Sequence, residues 1–117
     1  MKIVILNEEL HSGMQMYLAL STQFNVEVAS DTLDLMNLLD SDKTDFTFLD
    51  ICSDSPDHPL TADMINQINR KQPANQIIGL CPEQDENIMQ KAARLGIKKV
   101  LTKPIKNREL FRLIQAQ

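Results

Sequence analysis

The sequence predicts an α/β domain built on a parallel sheet with helices on both faces. Five short apolar runs alternate with five segments of helical period, the order of a chain that winds strand, helix, strand. The first, third and fourth runs are almost continuously apolar, as strands covered on both faces are. Two runs also stop abruptly at a charge: Asp45-Phe46-Thr47-Phe48-Leu49-Asp50 ends in an acid, and Val100-Leu101-Thr102-Lys103-Pro104 in a lysine followed by proline.

The first run, Lys2–Leu6, leads straight into Asn7-Glu8-Glu9. Leu10, Met14, Tyr17, Leu18 and Ser21 then fall at i, i+4, i+7, i+8 and i+11, which predicts a helix packed through that stripe. The second run, Asn25–Ala29, alternates apolar and polar residues and predicts a half-exposed edge strand. Ser30 or Asp31 is placed to cap a second helix carrying Leu35, Met36, Leu38 and Leu39. The third run is Phe46–Asp50. Met64, Ile65 and Ile68 mark a third helix, stopped before Pro73. The fourth run, Gln76–Leu80, precedes a helix with Ile88, Ala92 and Leu95 on one face, and Gly96 suits a left-handed stop. After the fifth run, Ile97–Leu101, Asn107 can cap a last helix packed through Leu110, Phe111 and Ile114. The six methionines fall mostly at helical core spacing, and packing is their expected role. The irregular segment Cys52–Leu60, rich in Ser, Asp and Pro, directly follows Asp50, where a loop at a strand end can build a site.

At 117 residues the chain is expected to be one domain, 1–117. Twelve basic and sixteen acidic residues leave 12 − 16 = −4, which argues against non-specific nucleic-acid binding. Nothing resembles a membrane span or a secretory leader. Cys52 and Cys81 fit free thiols in a reducing compartment, so a cytoplasmic location is expected. Neither thiol has zinc-ligand spacing with the other, with His11 or with His58. A solvated surface role is expected of His11, while His58 lies where it could cover the site.

In an open parallel sheet, ligands bind outside the carboxyl ends of the strands, at the switch point of the topology. An acid ending one strand, a lysine ending another and the acid-rich Asn7-Glu8-Glu9 ending a third would meet in one crevice. That chemistry suits magnesium and phosphoryl transfer, which needs a nucleophile, neutralised equatorial oxygens and in-line geometry. Blander readings exist for each residue. Asp50 could cap the following segment, Lys103 could be a solvated lysine, and Asn7-Glu8-Glu9 could open a helix at its positive dipole end.

Three segments in order, Lys-Ile-Val-Ile-Leu-Asn-Glu-Glu, Asp-Phe-Thr-Phe-Leu-Asp and Lys91 to Pro104 with its Ala-x-x-x-Gly-x-x-x-x-Leu-x-Lys-Pro pattern, resemble the receiver domain of bacterial two-component response regulators over essentially the whole chain. The resemblance implies a flavodoxin-like doubly wound (βα)5 three-layer sandwich with parallel strand order 2-1-3-4-5. It places the phosphoacceptor on Asp50 and the family lysine on Lys103. It also implies a weakly held Mg2+ on Glu8, Asp50 and the backbone carbonyl of Cys52, with Asn7 acting through a water. The implied partner is a histidine kinase or histidine phosphotransfer protein, with room for a homodimer through the fourth helix, fifth strand and fifth helix, and for a C-terminal output domain. No direct contact with nucleic acid or membrane is implied, nor enzyme activity beyond self-phosphorylation from a donor and slow self-dephosphorylation.

Four departures bear on mechanism. The acidic pair is Asn7-Glu8, which lowers the charge offered to a metal. The hydroxyl switch position is Cys81, and a thiol is a weak donor. The aromatic switch position is Val100, which has no polar tip to swing outward. The turn after Asp50 is replaced by Cys52-Ser53-Asp54-Ser55-Pro56-Asp57-His58-Pro59. These departures raise an alternative: a pseudo-receiver whose fourth helix, fifth strand and fifth helix, with Lys98, Lys99, Lys106, Arg108 and Arg112, form a phosphorylation-independent docking or dimerisation surface. A thiol redox sensor through Cys52 and Cys81 is a weaker alternative, since free cysteine mostly behaves as a small buried hydrophobe. A flavin or nucleotide enzyme is disfavoured, because Asn7-Glu8-Glu9 would repel the phosphate that a Gly-rich turn would cradle.

Overall fold

The computed structural model describes residues 1–6, 10–51, 61–83, 85–103 and 105–115, the backbone alone for 10–13. The chain runs β1 (Lys2–Leu6), α1 (Leu10–Leu20), β2 (Asn25–Ala29), α2 (Thr32–Ser41), β3 (Phe46–Asp50), α3 (Ala62–Lys71), β4 (Gln76–Cys81), α4 (Glu86–Leu95), β5 (Lys99–Thr102) and α5 (Asn107–Gln115). All strand pairs are parallel, in the order β2-β1-β3-β4-β5. The expected flavodoxin-like winding is therefore present.

Alternation along each strand splits the apolar residues between two layers. Val4, Leu6, Leu49 and Ile51 face Leu35, Leu39, Ile65, Ile68, Ala92 and Leu95 of α2, α3 and α4. Ile3, Ile5, Phe46, Phe48, Ile78 and Leu80 face Met16, Leu20, Leu110 and Ile114 of α1 and α5. β1 and β3 are buried at every position, as their mostly apolar sequences predict. β2 is the half-exposed edge strand expected, with Val26 and Ala29 buried, but burial does not alternate along it, since Val28 is exposed beside half-buried Glu27.

The helix ends follow local chemistry. Asp31 rather than Ser30 caps α2, accepting from the Asp34 amide at 2.8 Å. Thr61 and Asp85 cap α3 and α4 in the same way. α3 stops at Lys71, two residues before Pro73. Gly96 ends α4 at φ 82°, in the left-handed region that glycine enters without steric cost.

Three expectations need correction. The stripe expected to bury α1 does not: Met14, Tyr17 and Leu18 are exposed, and Met16 and Leu20 pack inward instead. Helical spacing admits several stripes in a helix apolar nearly all round, and burial chose the i, i+4 pair beside Phe24 and α5. The methionines divide: Met16 is buried, Met36 packs against the core and Met64 is half-buried, while Met1, Met14 and Met89 are exposed. Finally, β4 extends one residue further, to Cys81, and β5 starts at Lys99 and ends at Thr102. Ile97 is buried but precedes the strand, because its amide still bonds the Ala92 carbonyl of the α4 terminus.

Candidate functional site

The switch point lies between β1 and β3, because the chain leaves β1 towards β2 on one side and towards β3, β4 and β5 on the other. Asp50 is the last residue of β3 and sits directly at this point. Leu49 pairs with Leu6, the last residue of β1, and Asp50 pairs with Leu80. The ladder continues one step further, since the Ile51 amide donates to the Leu80 carbonyl at 3.0 Å. The Asp50 backbone is thus held against β4 by strand pairing. The residue is 7% exposed, nearly enclosed yet still reached by solvent.

Lys103 follows β5. Its amide donates to the Cys81 carbonyl at 2.7 Å, which ties the strand end to β4. From that anchor the side chain crosses the end of β4, and Nζ donates to Asp50 Oδ2 at 3.0 Å. Side-chain exposures of 12% and 7% make this a largely desolvated ion pair, where a charge-assisted hydrogen bond is strong and loss of either partner is costly. The acid and the lysine that end separate apolar runs do meet.

Cys81 is fully buried beside them. Its thiol lies 3.7 Å from the Leu101 carbonyl and is turned towards β5. Burial pushes the thiol pKa up, against a lowering hydrogen bond from the Thr102 side chain. Thr102 is the residue opposite Cys81 in the parallel register. Nothing in the sequence alone singled out Thr102, because its role depends on that register. Val100 is half-buried and packs against the α2–α3–α4 layer, so the position expected to carry an aromatic switch is an apolar filler.

A second contact shapes the crevice floor. A Cβ built on Gly79 would meet Ile51 Cγ2 at 3.2 Å and Ile97 Cγ2 at 3.4 Å. Gly79 therefore gives the residue after Asp50 room to bury completely. The sequence hint was only a glycine inside an otherwise apolar strand.

Asn7, Glu8, Cys52 and His58 lie outside the described residues, as do Pro104 and the loop 52–60. Among the described residues no three His, Cys, Asp or Glu side chains group as metal ligands. The described part of the crevice offers one carboxylate, Asp50, whose hard oxygens suit magnesium.

A doubly wound parallel sheet with an acid at its switch point and a lysine reaching it from the last strand belongs to the flavodoxin-like α/β class. Within that class the chain belongs to the response regulator receiver domain family, whose model matches residues 4–115. Solved structures agree in fold. A two-component response regulator from Clostridium difficile superposes with a TM-score of 0.82 at 18% identity, over 98% of this chain and 93% of the other. A chemotaxis protein of Vibrio cholerae gives 0.80 at 16% identity, covering 98% and 96%. The beryllium-fluoride-activated DrrB receiver domain gives 0.80 at 19%, covering 98% and 94%. No curated protein matches the sequence. As a receiver domain, the chain is a module of two-component phosphorelay signalling. Receiver domains are signalling modules that work with histidine kinases or phosphotransfer proteins and typically bind Mg2+ at an acidic pocket. Among the described residues no helix is long and apolar enough to cross a membrane.

Proposed function

We propose that residues 1–117 act as one cytoplasmic receiver domain that accepts a phosphoryl group on Asp50 from a phosphohistidine of a kinase or phosphotransfer protein. One observation carries the reading: Asp50 ends β3 at the switch point, 3.0 Å from the Lys103 ammonium. A carboxylate oxygen of Asp50 attacks phosphorus, a P–O bond forms as the P–N bond breaks, and the partner imidazole leaves with the electron pair. Lys103 then moves from a carboxylate oxygen to an equatorial phosphoryl oxygen, so its charge is matched throughout. Water later cleaves the acyl phosphate slowly, returning Asp50 and inorganic phosphate.

Glu8, Asp50 and the backbone carbonyl of Cys52 would hold Mg2+, with Asn7 orienting a bound water. The ion would neutralise charge on the transferring group. An amide at position 7 brings no charge, so weak metal binding goes with this donor set.

The test is incubation with a small phosphodonor and magnesium, read by intact mass. The wild type is expected to gain one phosphate, and Asp50→Asn none. No gain in the wild type, together with no response to beryllium fluoride, would overturn the reading.

A further inference from the structure

We infer that Thr102 is a positioning residue for phosphoryl transfer, acting on the group at Asp50 through the Cys81 thiol; this rests on the reading of Asp50 as the phosphoacceptor. A hydroxyl one strand beyond the crevice thereby turns a poor donor at the crevice into a useful one.

β4 lies between β3 and β5, so the residue ending β4 separates Asp50 from the end of β5. That residue is Cys81, one position after Leu80, which stands opposite Asp50. Thr102 stands opposite Cys81. The Lys103 amide donates to the Cys81 carbonyl at 2.7 Å and holds the two strand ends in this register. Both charges of the crevice, Lys103 and Asp50, act on the thiol. Cys81 is fully buried and Thr102 half-buried, and the path from Thr102 to Asp50 runs across the sulfur.

The hydrogen bonds around that sulfur have a direction. The Thr102 hydroxyl donates to Sγ, and Sγ in turn donates to the Leu101 carbonyl at 3.7 Å. A thiol is a weak donor. Accepting a hydrogen bond polarises the S–H bond and strengthens what it donates, by about 10–30% per bond in a chain. Burial raises the thiol pKa, so sulfur keeps its proton at neutral pH and brings no negative charge towards the incoming group.

At rest that proton points to a backbone carbonyl. A transferring phosphoryl group presents three equatorial oxygens, and Lys103 answers one of them. Rotation about Cβ–Sγ carries the S–H hydrogen from the Leu101 carbonyl to another phosphoryl oxygen, an anionic and therefore better acceptor. No covalent bond changes in this step, because the proton stays on sulfur. Thr102 remains bonded to Sγ in both settings and fixes where the S–H hydrogen can point. The plainer alternative is a β-branched residue that only fills an edge strand.

The test is phosphate uptake from a small phosphodonor with magnesium, timed by intact mass. Thr102→Val, which keeps the shape and removes the hydroxyl, should slow uptake about three- to tenfold. Thr102→Ser, which keeps a hydroxyl, should recover at least about half of the wild-type rate. In a Cys81→Ala background, with no sulfur to act through, Thr102→Val should change the rate by less than about twofold. Circular dichroism checks that each variant folds. A second measurement leaves the core intact: in Cys52→Ser, where Cys81 is the only thiol, beryllium fluoride should move the infrared S–H stretching band to lower frequency. Adding Thr102→Val should shrink that step. Uptake that Thr102→Val does not slow, equal slowing with and without the thiol, or a band that beryllium fluoride leaves in place while the wild type takes up phosphate would each overturn the inference alone. A wild type that takes up no phosphate and gives no response to beryllium fluoride would overturn it together with the reading of Asp50.

Discussion

The two ends of the sheet are built on opposite rules. Where the strands begin, polar side chains are each held by more than one hydrogen bond or ion pair. Lys2 Nζ lies 3.0 Å from Asp42 and 3.5 Å from Glu27, and its amide donates to Asp45. Gln72 donates to the carbonyls of Leu39 and Asp42 and accepts from the Thr44 amide, joining α3 to the α2–β3 connection. Thr47 and Asn75 exchange hydrogen bonds of 3.1 and 2.9 Å between buried side chains. Among the described residues where the strands stop, a carboxylate meets an ammonium at the crevice, and the Cys81 thiol is turned towards the Leu101 carbonyl. A polar group tied to several fixed partners sets register. A charge pair at a crevice that solvent reaches can exchange one partner for another, which is what phosphoryl transfer requires.

Breaking the crevice pair should have the largest effect. Lys103→Met is expected to slow phosphate uptake from a small phosphodonor about 100- to 1000-fold, the usual loss when one donor to a developing anion is removed. Timed intact-mass measurements give the rate. A rate within about threefold of the wild type would assign Lys103 to structure alone.

At the opposite end the same kind of deletion should act on stability and leave uptake unchanged. Thr47→Val keeps the buried Asn75 amide but removes its side-chain partner, at a cost of about 1–3 kcal/mol. Replacing both residues, Thr47→Val with Asn75→Leu, should recover part of that cost, because no unpaired polar group remains. Urea unfolding of the wild type, two single variants and the double variant closes the cycle. Strictly additive costs would mean that the two side chains are uncoupled, and the contrast between the two ends would weaken accordingly.

Much of this contrast was legible in the sequence, and physics explains which parts. Runs such as Lys2–Leu6 and Phe46–Asp50 show strands covered on both faces, and charges at run ends mark the crevice because a parallel sheet gathers its carboxyl ends. Asp50 and Lys103 needed no more than that. The α1 stripe misled, because Leu10, Met14, Tyr17 and Leu18 satisfy helical spacing as well as the pair that is buried, Met16 and Leu20. Only the neighbours of a helix decide among such stripes. Thr102 and the Thr47–Asn75 pair were invisible for a related reason: each depends on which residue stands opposite, and register is a property of assembled strands. Gln72, reaching to residues more than twenty-five positions earlier in the chain, has no local signature at all.

The smallest expected effect lies at Cys81, the residue that joins the crevice to β5. Burial raises its thiol pKa above the usual 9.0, although hydrogen bonds from the Thr102 side chain and the Glu83 backbone pull the other way. The folded chain then keeps this proton at a pH where the unfolded chain has lost it. Stability is consequently complete below the unfolded value and declines as pH rises through about 9 towards the folded value. Lys2 adds its own alkaline decline. Burial lowers its ammonium pKa, but Asp42 and Glu27 outweigh burial and hold it above 10.5. Cys81→Ser cannot ionise in this range and leaves Lys2 untouched, so the difference between the two stability profiles isolates the thiol. From about pH 8 to about pH 10 the wild type should lose ground to Cys81→Ser by no more than about 1.4 kcal/mol per pH unit, the limit for one proton, measured by urea unfolding at each pH. Parallel profiles would mean that the thiol is solvated in the fold rather than buried against the Leu101 carbonyl.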